Sequence, residues 1–383
     1  MSTPYYLRPA FLSDMISRFS GQPVKVLNVA PFELDNSASI LAVLTAGVSE
    51  RPIGHFGLRL ELEKEGQREW VDTVMKIKPH GNEIVEMLNG LAAASGAPLA
   101  LVYEQFKTAT GFKNVHQREL QVYEYLKPNC AQKVYGIHAD EESGLYFILM
   151  ESLLETGLLN AVMDPESWTD EHIKLTLESL AQWHGQGLNA RKLVDLQYWD
   201  DRPGRGYMSQ LTPLWAALLD QAHSRFPELY STENKLRMEG FIEAIPDYWQ
   251  ELERMPKTMV HNDCNPRNMC FNNTDQGKQL CLYDWELSTF HVPAYDVVEF
   301  LCFVLDANRY GERKHYVDFY YECLLEQTDL YEDKQLFYKS FQLATRDFGL
   351  HRLGMYMMAH AVAPYPFLPR VVKSYINSLD LKL

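Results

Sequence analysis

The chain has 383 residues, 46% of them hydrophobic and 23% charged, which suits a soluble globular protein too long for one small core, so two lobes are expected. Its 36 basic against 51 acidic residues give a net charge of −15, which argues against a nonspecific binder of nucleic acid or of an anionic membrane. Six cysteines without a CxxC pair do not form a disulfide framework or a zinc site, and predict reduced thiols in a cytoplasmic setting.

The opening MSTPYYLRPAFLSDM has no basic segment followed by an apolar one. The most apolar stretch, LAAASGAPLALV, is too short to span a bilayer, so neither export nor membrane anchoring is expected. Up to about Pro79 the chain reads as strands, through VKVLNVAPFEL, SILAVLTAGV, FGLRLELEKEG and WVDTVMKIKP, and predicts an antiparallel N-terminal sheet. From Asn82 to Leu126 the pattern turns helical, with Leu120, Tyr123 and Leu126 sharing one face. YFILMESLL is a buried strand. After Pro165 helices dominate: Ser167 and Asp170 predict a capping box before TDEHIKLTLESLAQWHG, whose stripe is Ile173, Leu177, Leu180 and His184. A second stripe, Phe337, Phe341, Ala344 and Phe348, marks KQLFYKSFQLATRDFG. The expected fold class is α+β, a sheet lobe followed by a mostly helical one.

One polar break interrupts the helical half. His261-Asn262-Asp263-Cys264-Asn265-Pro266-Arg267-Asn268 is followed by an apolar-ended hairpin and then Asp284-Trp285-Glu286. Phosphoryl transfer needs a carboxylate beside the attacking hydroxyl, and a carboxylate with a neutral oxygen donor to hold Mg²⁺. Asp263, Asn268 and Asp284 supply those groups if the hairpin returns Asp284 beside Asn268. A metal-dependent hydrolase built from His261, Asp263, Asp284 and His291 is the weaker reading, because no further His/Asp ligands cluster there.

This segment resembles the aminoglycoside phosphotransferase and choline kinase superfamily, relatives of protein kinases, whose catalytic loop runs H-x-D-x-x-x-x-N and whose next strand ends in D-[WF]-E before a P-A-Y-D that is here Pro293-Ala294-Tyr295-Asp296. The opening His-Asn-Asp is similar to choline and ethanolamine kinases. Glu119, Tyr123 and Cys264 are similar to the ecdysteroid-kinase-like branch. The resemblance implies a two-lobed protein-kinase-like fold, with a nucleotide-binding lobe over 1–151 carrying a helical insertion at about 80–115, and a catalytic and substrate lobe over 152–383. It implies ATP and Mg²⁺ as cofactors, Asp263 as catalytic acid/base, Asn268 and Asp284 as metal ligands, and Asp296 as a brace for the loop.

It also requires a strand lysine on the ATP phosphates and a helical glutamate to hold it. Lys76 and Lys78 lie on one strand face by parity; Lys76, centred in the apolar run, is favoured, with Glu119 as partner and Glu124 as runner-up. Ser37 and Ser39 stand where a glycine-rich loop is usual and would offer hydroxyls and N–H groups to the nucleotide. Adenine would be read near Glu151, Ser152 and Leu153. Asn265 stands where protein kinases keep a lysine, which leaves a non-transferring pseudokinase as the alternative. The acceptor is expected to be a small-molecule alcohol, with an amino alcohol such as choline favoured, against an aromatic wall drawn from Tyr198, Trp199, Tyr356, His360, Tyr365 and Phe367. The Ala-rich insertion reads as a lid, a dimer surface or extra core, so a homodimer stays open.

Overall fold

The computed structural model describes residues 4–34, 52–154, 156–189, 194–275 and 277–383. SILAVLTAGV, Ser37 and Ser39 lie outside the described residues.

The N-terminal sheet has the order β1-β2-β3-β5-β4, every pairing antiparallel, from β1 (Lys25–Phe32), β2 (Gly54–Lys64), β3 (Gln67–Lys78), β4 (Val134–Asp140) and β5 (Leu145–Glu151). β4 is absent from the sequence expectation. Period-two alternation divides β3: Met75 and Ile77 join the apolar layer on one face, while Val74 and Lys76 line a cavity on the other. That apolar layer is closed by a helix, α1 (Pro9–Ser20), where strands were expected. Pro9 begins it, Gly21 ends it with φ 68°, and Leu12, Met15 and Ile16 form its buried stripe.

Two helices, α2 (Gly81–Ser95) and α3 (Ala97–Phe106), occupy the stretch expected to be a helical insertion and pack against helices of the C-terminal half, α2 on residues 354–362 and α3 on residues 212–225. These two helices are therefore a wall of the molecule. At its start Gly81 lies so close to the neighbouring backbone that a Cβ there would meet Lys113 O at 1.7 Å. Gly81→Ala is expected to cost about 1–3 kcal/mol by overpacking. Alanine's better helix propensity, about 1 kcal/mol, offsets only part of this. A thermal melt with Tm unchanged or raised would show that residues 107–114 yield freely.

α4 (Val115–Gln121) runs on into a π turn over Val122–Leu126 and carries Glu119. The long helix α5 (Asp170–Asn189) buries Ile173, Leu177, Leu180 and His184 as expected, but Ser167 lies in a 3-10 turn. Thr169, two residues later, accepts the His172 N–H at 3.4 Å, so the helix starts there. Among the described residues the rest of the C-terminal half is mostly helical, with two small two-stranded sheets: β6 (Thr258–Val260) with β9 (Thr289–His291), and the hairpin of β7 (Met269–Thr274) with β8 (Gly277–Leu282). The α+β architecture, an antiparallel sheet part followed by a mostly helical part, is the one expected.

Candidate active site

The loop 261–268 joins β6 to β7, and the β7–β8 hairpin brings the chain back so that Tyr283 N–H donates to Asn268 O at 3.0 Å. Asp284 thereby stands next to the loop, as the hairpin argument required. Two residues take left-handed backbone to make these turns, Asn262 (φ 60°) and Asp284 (φ 64°). Asn and Asp are the L-residues for which that costs least.

Asp296 holds the loop from behind. Its Oδ2 accepts the His261 N–H at 2.7 Å and lies 3.0 Å from His184 Nε2, and its Oδ1 accepts the Asn262 N–H at 2.9 Å. His261 turns its Nε2 to Tyr283 O at 2.9 Å, a hydrogen-bonding role inside the loop.

Asp263 faces the cavity with donors around it. Arg352 Nη2 donates to Oδ1 at 3.0 Å, Asn265 Nδ2 to Oδ1 at 3.0 Å and Asn268 Nδ2 to Oδ2 at 2.6 Å, and the Tyr356 hydroxyl contacts Oδ1. Arg267 Nη2 lies 3.9 Å from Oδ2. Burial alone would raise this carboxyl, but the Arg352 and Arg267 guanidiniums outweigh it and hold it below the usual range.

Across the cavity Lys76 Nζ donates to both oxygens of Glu119, at 2.9 and 2.8 Å, and to Asp284 Oδ1 at 2.7 Å. Lys78 lies on the same face, touches Glu119 as well, and donates to Glu286 Oε2 at 2.7 Å. Glu119 thus serves two lysines. The two differ in access, because Lys76 lines the cavity and Lys78 does not. Burial would raise the Asp284 carboxyl, but the ammoniums of Lys76 and Lys78 outweigh it and hold it far below its usual value. Burial would lower Lys76; Asp284, Glu119 and Glu286 together push it well above the usual lysine range. His55, paired with Lys76 across β2 and β3, falls to about 4 through burial and then through the Lys76 charge, so it is neutral at pH 7. Carboxylate oxygens of Glu119, Asp284 and Glu286 lie within 4.8 Å of one another, close enough to share a metal ion. Asn268 spends its amide nitrogen on Asp263, which leaves its amide oxygen as the atom to meet a cation.

Lys76, Glu119, Asp263, Asn268, Asp284 and Glu286 border one cavity of about 410 Å³, with Arg267, Arg352 and Tyr356. Leu153 lines it, together with Met150, Ser152 and Leu154. Glu151 is not among the lining residues, and its carbonyl accepts Gln132 Nε2 at 2.7 Å. Of the expected aromatic wall, Tyr356, Tyr365 and Phe367 reach the cavity. Trp199 is buried, donating its indole N–H to Ser288 O at 2.7 Å, Tyr198 offers its carbonyl to Arg118 at 2.6 Å, and His360 accepts the Tyr365 N–H at 2.8 Å. The hydrolase set does not assemble, since His291 turns to Asp347 at 3.3 Å.

Sequence reasoning missed Arg352 and Glu299. Arg352 lies 89 positions from Asp263, and Glu299, one turn beyond Asp296 on the same helix, stands in an otherwise apolar run with no motif of its own.

A model of the ecdysteroid kinase-like family matches residues 103–332, more than half of the chain. The chain belongs to the ecdysteroid kinase-like family. The matched span of this ecdysteroid kinase-like chain includes Glu119, the 261–268 loop, Asp284 and Asp296, and bears out the resemblance read from those residues. Solved structures similar to it include an ethanolamine kinase of Plasmodium vivax, at 12% identity and TM-score 0.48 over 92% of this chain and 82% of that one. They also include a macrolide 2'-phosphotransferase of Brachybacterium faecium, at 12% identity and TM-score 0.41 over 94% and 99% of the two chains. An aminoglycoside phosphotransferase of Streptomyces rimosus is similar at 10% identity and TM-score 0.39, over 82% and 99%. The comparison with curated proteins finds no match. No described helix is long and apolar enough to cross a membrane.

Proposed function

We propose that this ecdysteroid kinase-like chain transfers the γ-phosphoryl group of ATP, with Mg²⁺, to the hydroxyl of a small neutral molecule with an apolar body. The observation that carries the reading is the convergence of Asp263, Asn268, Asp284 and the Lys76–Glu119 pair on one cavity. Lys76 would contact the phosphates while Glu119 holds its ammonium in place, and residues 1–151 would form the nucleotide lobe. Val74, Met150 and Leu153 offer apolar faces to a planar base, and Ser152 and Leu153 the backbone beside it. Asn268 and Asp284 would hold Mg²⁺, through the amide oxygen of the first and Oδ2 of the second. Bound there, the ion would screen the charge on the moving phosphoryl oxygens. Asp263 would take the acceptor's hydroxyl proton. Its donors keep it ionised for that task, and its place on the cavity wall puts it within reach of a bound alcohol.

The acceptor follows from charge. Among the described residues, each acidic residue on the cavity wall already faces a cation: Glu119 and Asp284 meet Lys76 at 2.8 and 2.7 Å, Glu286 meets Lys78 at 2.7 Å, and Asp263 meets Arg352 at 3.0 Å. An ammonium substrate would find no free carboxylate among the described residues and would meet Arg267 and Arg352 beside the base. The rest of that end is apolar, with Ile84, Met87 and Leu91 of the insertion facing Met355, Ala359 and Phe367. An apolar alcohol therefore fits better than an amino alcohol. A coupled ADP-release screen over sterol-like alcohols, sugars, aminoglycosides and amino alcohols is expected to give turnover with the first class. Preferred turnover of choline or ethanolamine would overturn the apolar acceptor. Stabilisation by Mg-ATP without ADP release from any class would favour a non-transferring protein.

A further inference from the structure

Behind Asp263 lies a second carboxyl group that the transfer scheme does not use. Glu299, on α6 (Ala294–Val304), is fully buried and does not line the cavity. Its Oε2 accepts the Cys264 N–H at 3.1 Å, and its Oε1 lies 2.9 Å from the Tyr356 hydroxyl. The same hydroxyl contacts Asp263 Oδ1 and receives a hydrogen bond from Arg352 Nη2 at 2.9 Å.

A phenol oxygen has one hydrogen to give and two lone pairs to receive with. Arg352 can only donate, so it occupies one lone pair. The single hydrogen can satisfy only one of the two carboxyl groups. The other can bond to the remaining lone pair only if it carries a hydrogen itself. Two buried carboxylates on one hydroxyl would otherwise leave one oxygen facing a lone pair, a contact costly in a dry site.

The donors decide which group is protonated. Asp263 receives Arg352 Nη2, two side-chain amides and the more distant Arg267, whereas Glu299 receives a backbone N–H and, at 3.4 Å, Asn265 Nδ2. We propose that Asp263 and Glu299 share one proton through the Tyr356 hydroxyl, with Glu299 holding it and Asp263 left ionised toward the cavity. Two carboxyl groups whose surroundings separate their affinities for a proton are a recurrent acid/base device. The charges around Glu299 agree. Burial and then the Asp263 charge raise it, Arg352 opposes them, Asp296 on its own helix adds to the rise, and the carboxyl is pushed up to about 8. Cys264 from the loop and Tyr295 and Cys302 from its own helix also face it, and burial raises all three, so they stay neutral beside it at pH 7.

Glu299 is on this view a positioning residue. Through Tyr356 it fixes the direction of Asp263 and keeps the pair's single negative charge on the group facing the acceptor. That consequence rests on Asp263 being the base; the location of the proton does not.

Infrared spectroscopy tests the location directly, because a protonated carboxyl absorbs apart from a carboxylate. The whole chain labelled with carboxyl-¹³C glutamate should show a protonated-carboxyl band at pH 7 that shifts with the label and disappears with a midpoint of about 8. The difference between wild type and E299Q should contain that band. In Y356F the acceptor of its hydrogen is gone, so the band should move to higher frequency. A glutamate band absent at pH 7, or unmoved by Y356F, would overturn the proposal, and a band that shifts with labelled aspartate would reverse the assignment. The labelled wild type and Y356F keep the question decidable if E299Q does not fold. A failed substrate screen would leave this band in place.

Discussion

Replacing Asp263 by asparagine is expected to lower phosphoryl transfer by about 10²–10⁴-fold, the usual contribution of a positioned general base. The side chain keeps its shape, so the substitution removes the charge and one acceptor. In the native site Oδ1 meets Arg352, Asn265 and Tyr356, and Oδ2 meets Asn268. Every one of those neighbours can donate, and an asparagine nitrogen must face one of them. Arg352 also loses the carboxylate that compensates it while remaining buried. Stability should therefore fall as well, which makes a paired measurement necessary: initial rates of ADP release, and a melt of the same sample. A variant that melts cooperatively and still turns over near the wild-type rate would remove Asp263 from the reaction. One that keeps nucleotide binding and loses transfer supports the assignment, since Lys76 and Asp284 bond to each other and not to Asp263.

The candidate site was legible where function concentrates in a short stretch of chain. The loop 261–268, Asp284 and Asp296 lie within 36 residues, and a hairpin is enough to bring them together. Lys76 and Glu119 were legible because a kinase reading demands a strand lysine and a helical glutamate. Parity does not choose between Lys76 and Lys78; both are buried, and they differ in that Lys76 lines the cavity. The buried counter-charges were not legible. Arg352 reaches Asp263 from 89 positions away, and its π turn (Gly349–Leu353) gives the local sequence no distinguishing period. Helix α1 did carry a signal, Pro9 first, Gly21 last and Leu12, Met15 and Ile16 between, but the strand-like stretches after it dominated the reading. The aromatic wall was legible only in part, with Tyr356, Tyr365 and Phe367 at the cavity and Tyr198, Trp199 and His360 away from it. Aromatic residues fill cores as readily as cavities, and Trp199 is core.

Asp296→Ala is expected to destabilise the protein by about 3–5 kcal/mol, the cost of removing one partner from a buried charged network. Asp296 is fully buried and receives two backbone N–H groups, from His261 and Asn262, as well as the contact with His184. Alanine leaves both N–H groups in a dry interior, at about 1–3 kcal/mol each. His184 would keep only its bond to the Tyr320 hydroxyl at 2.7 Å. Burial would raise the Asp296 carboxyl, but the hydrogen bond and charge of His184 hold it below the usual value. A folded pKa below the unfolded one means that this contribution is present at neutral pH and lost as pH falls through the folded value. The variant should therefore lose the most relative to wild type near pH 7 and least in acid. Asp296→Asn, which retains one carbonyl acceptor, should fall between the two. Urea unfolding at several pH values checks this, with the m-value confirming that both proteins unfold from a compact state. Equal midpoints for wild type and Asp296→Ala at pH 7 would show that the loop stands without its brace. A lower midpoint with turnover retained would limit Asp296 to stability. Loss of both is the expected result, because the two N–H groups it holds set the backbone immediately before Asp263, where Asn262 already adopts left-handed φ.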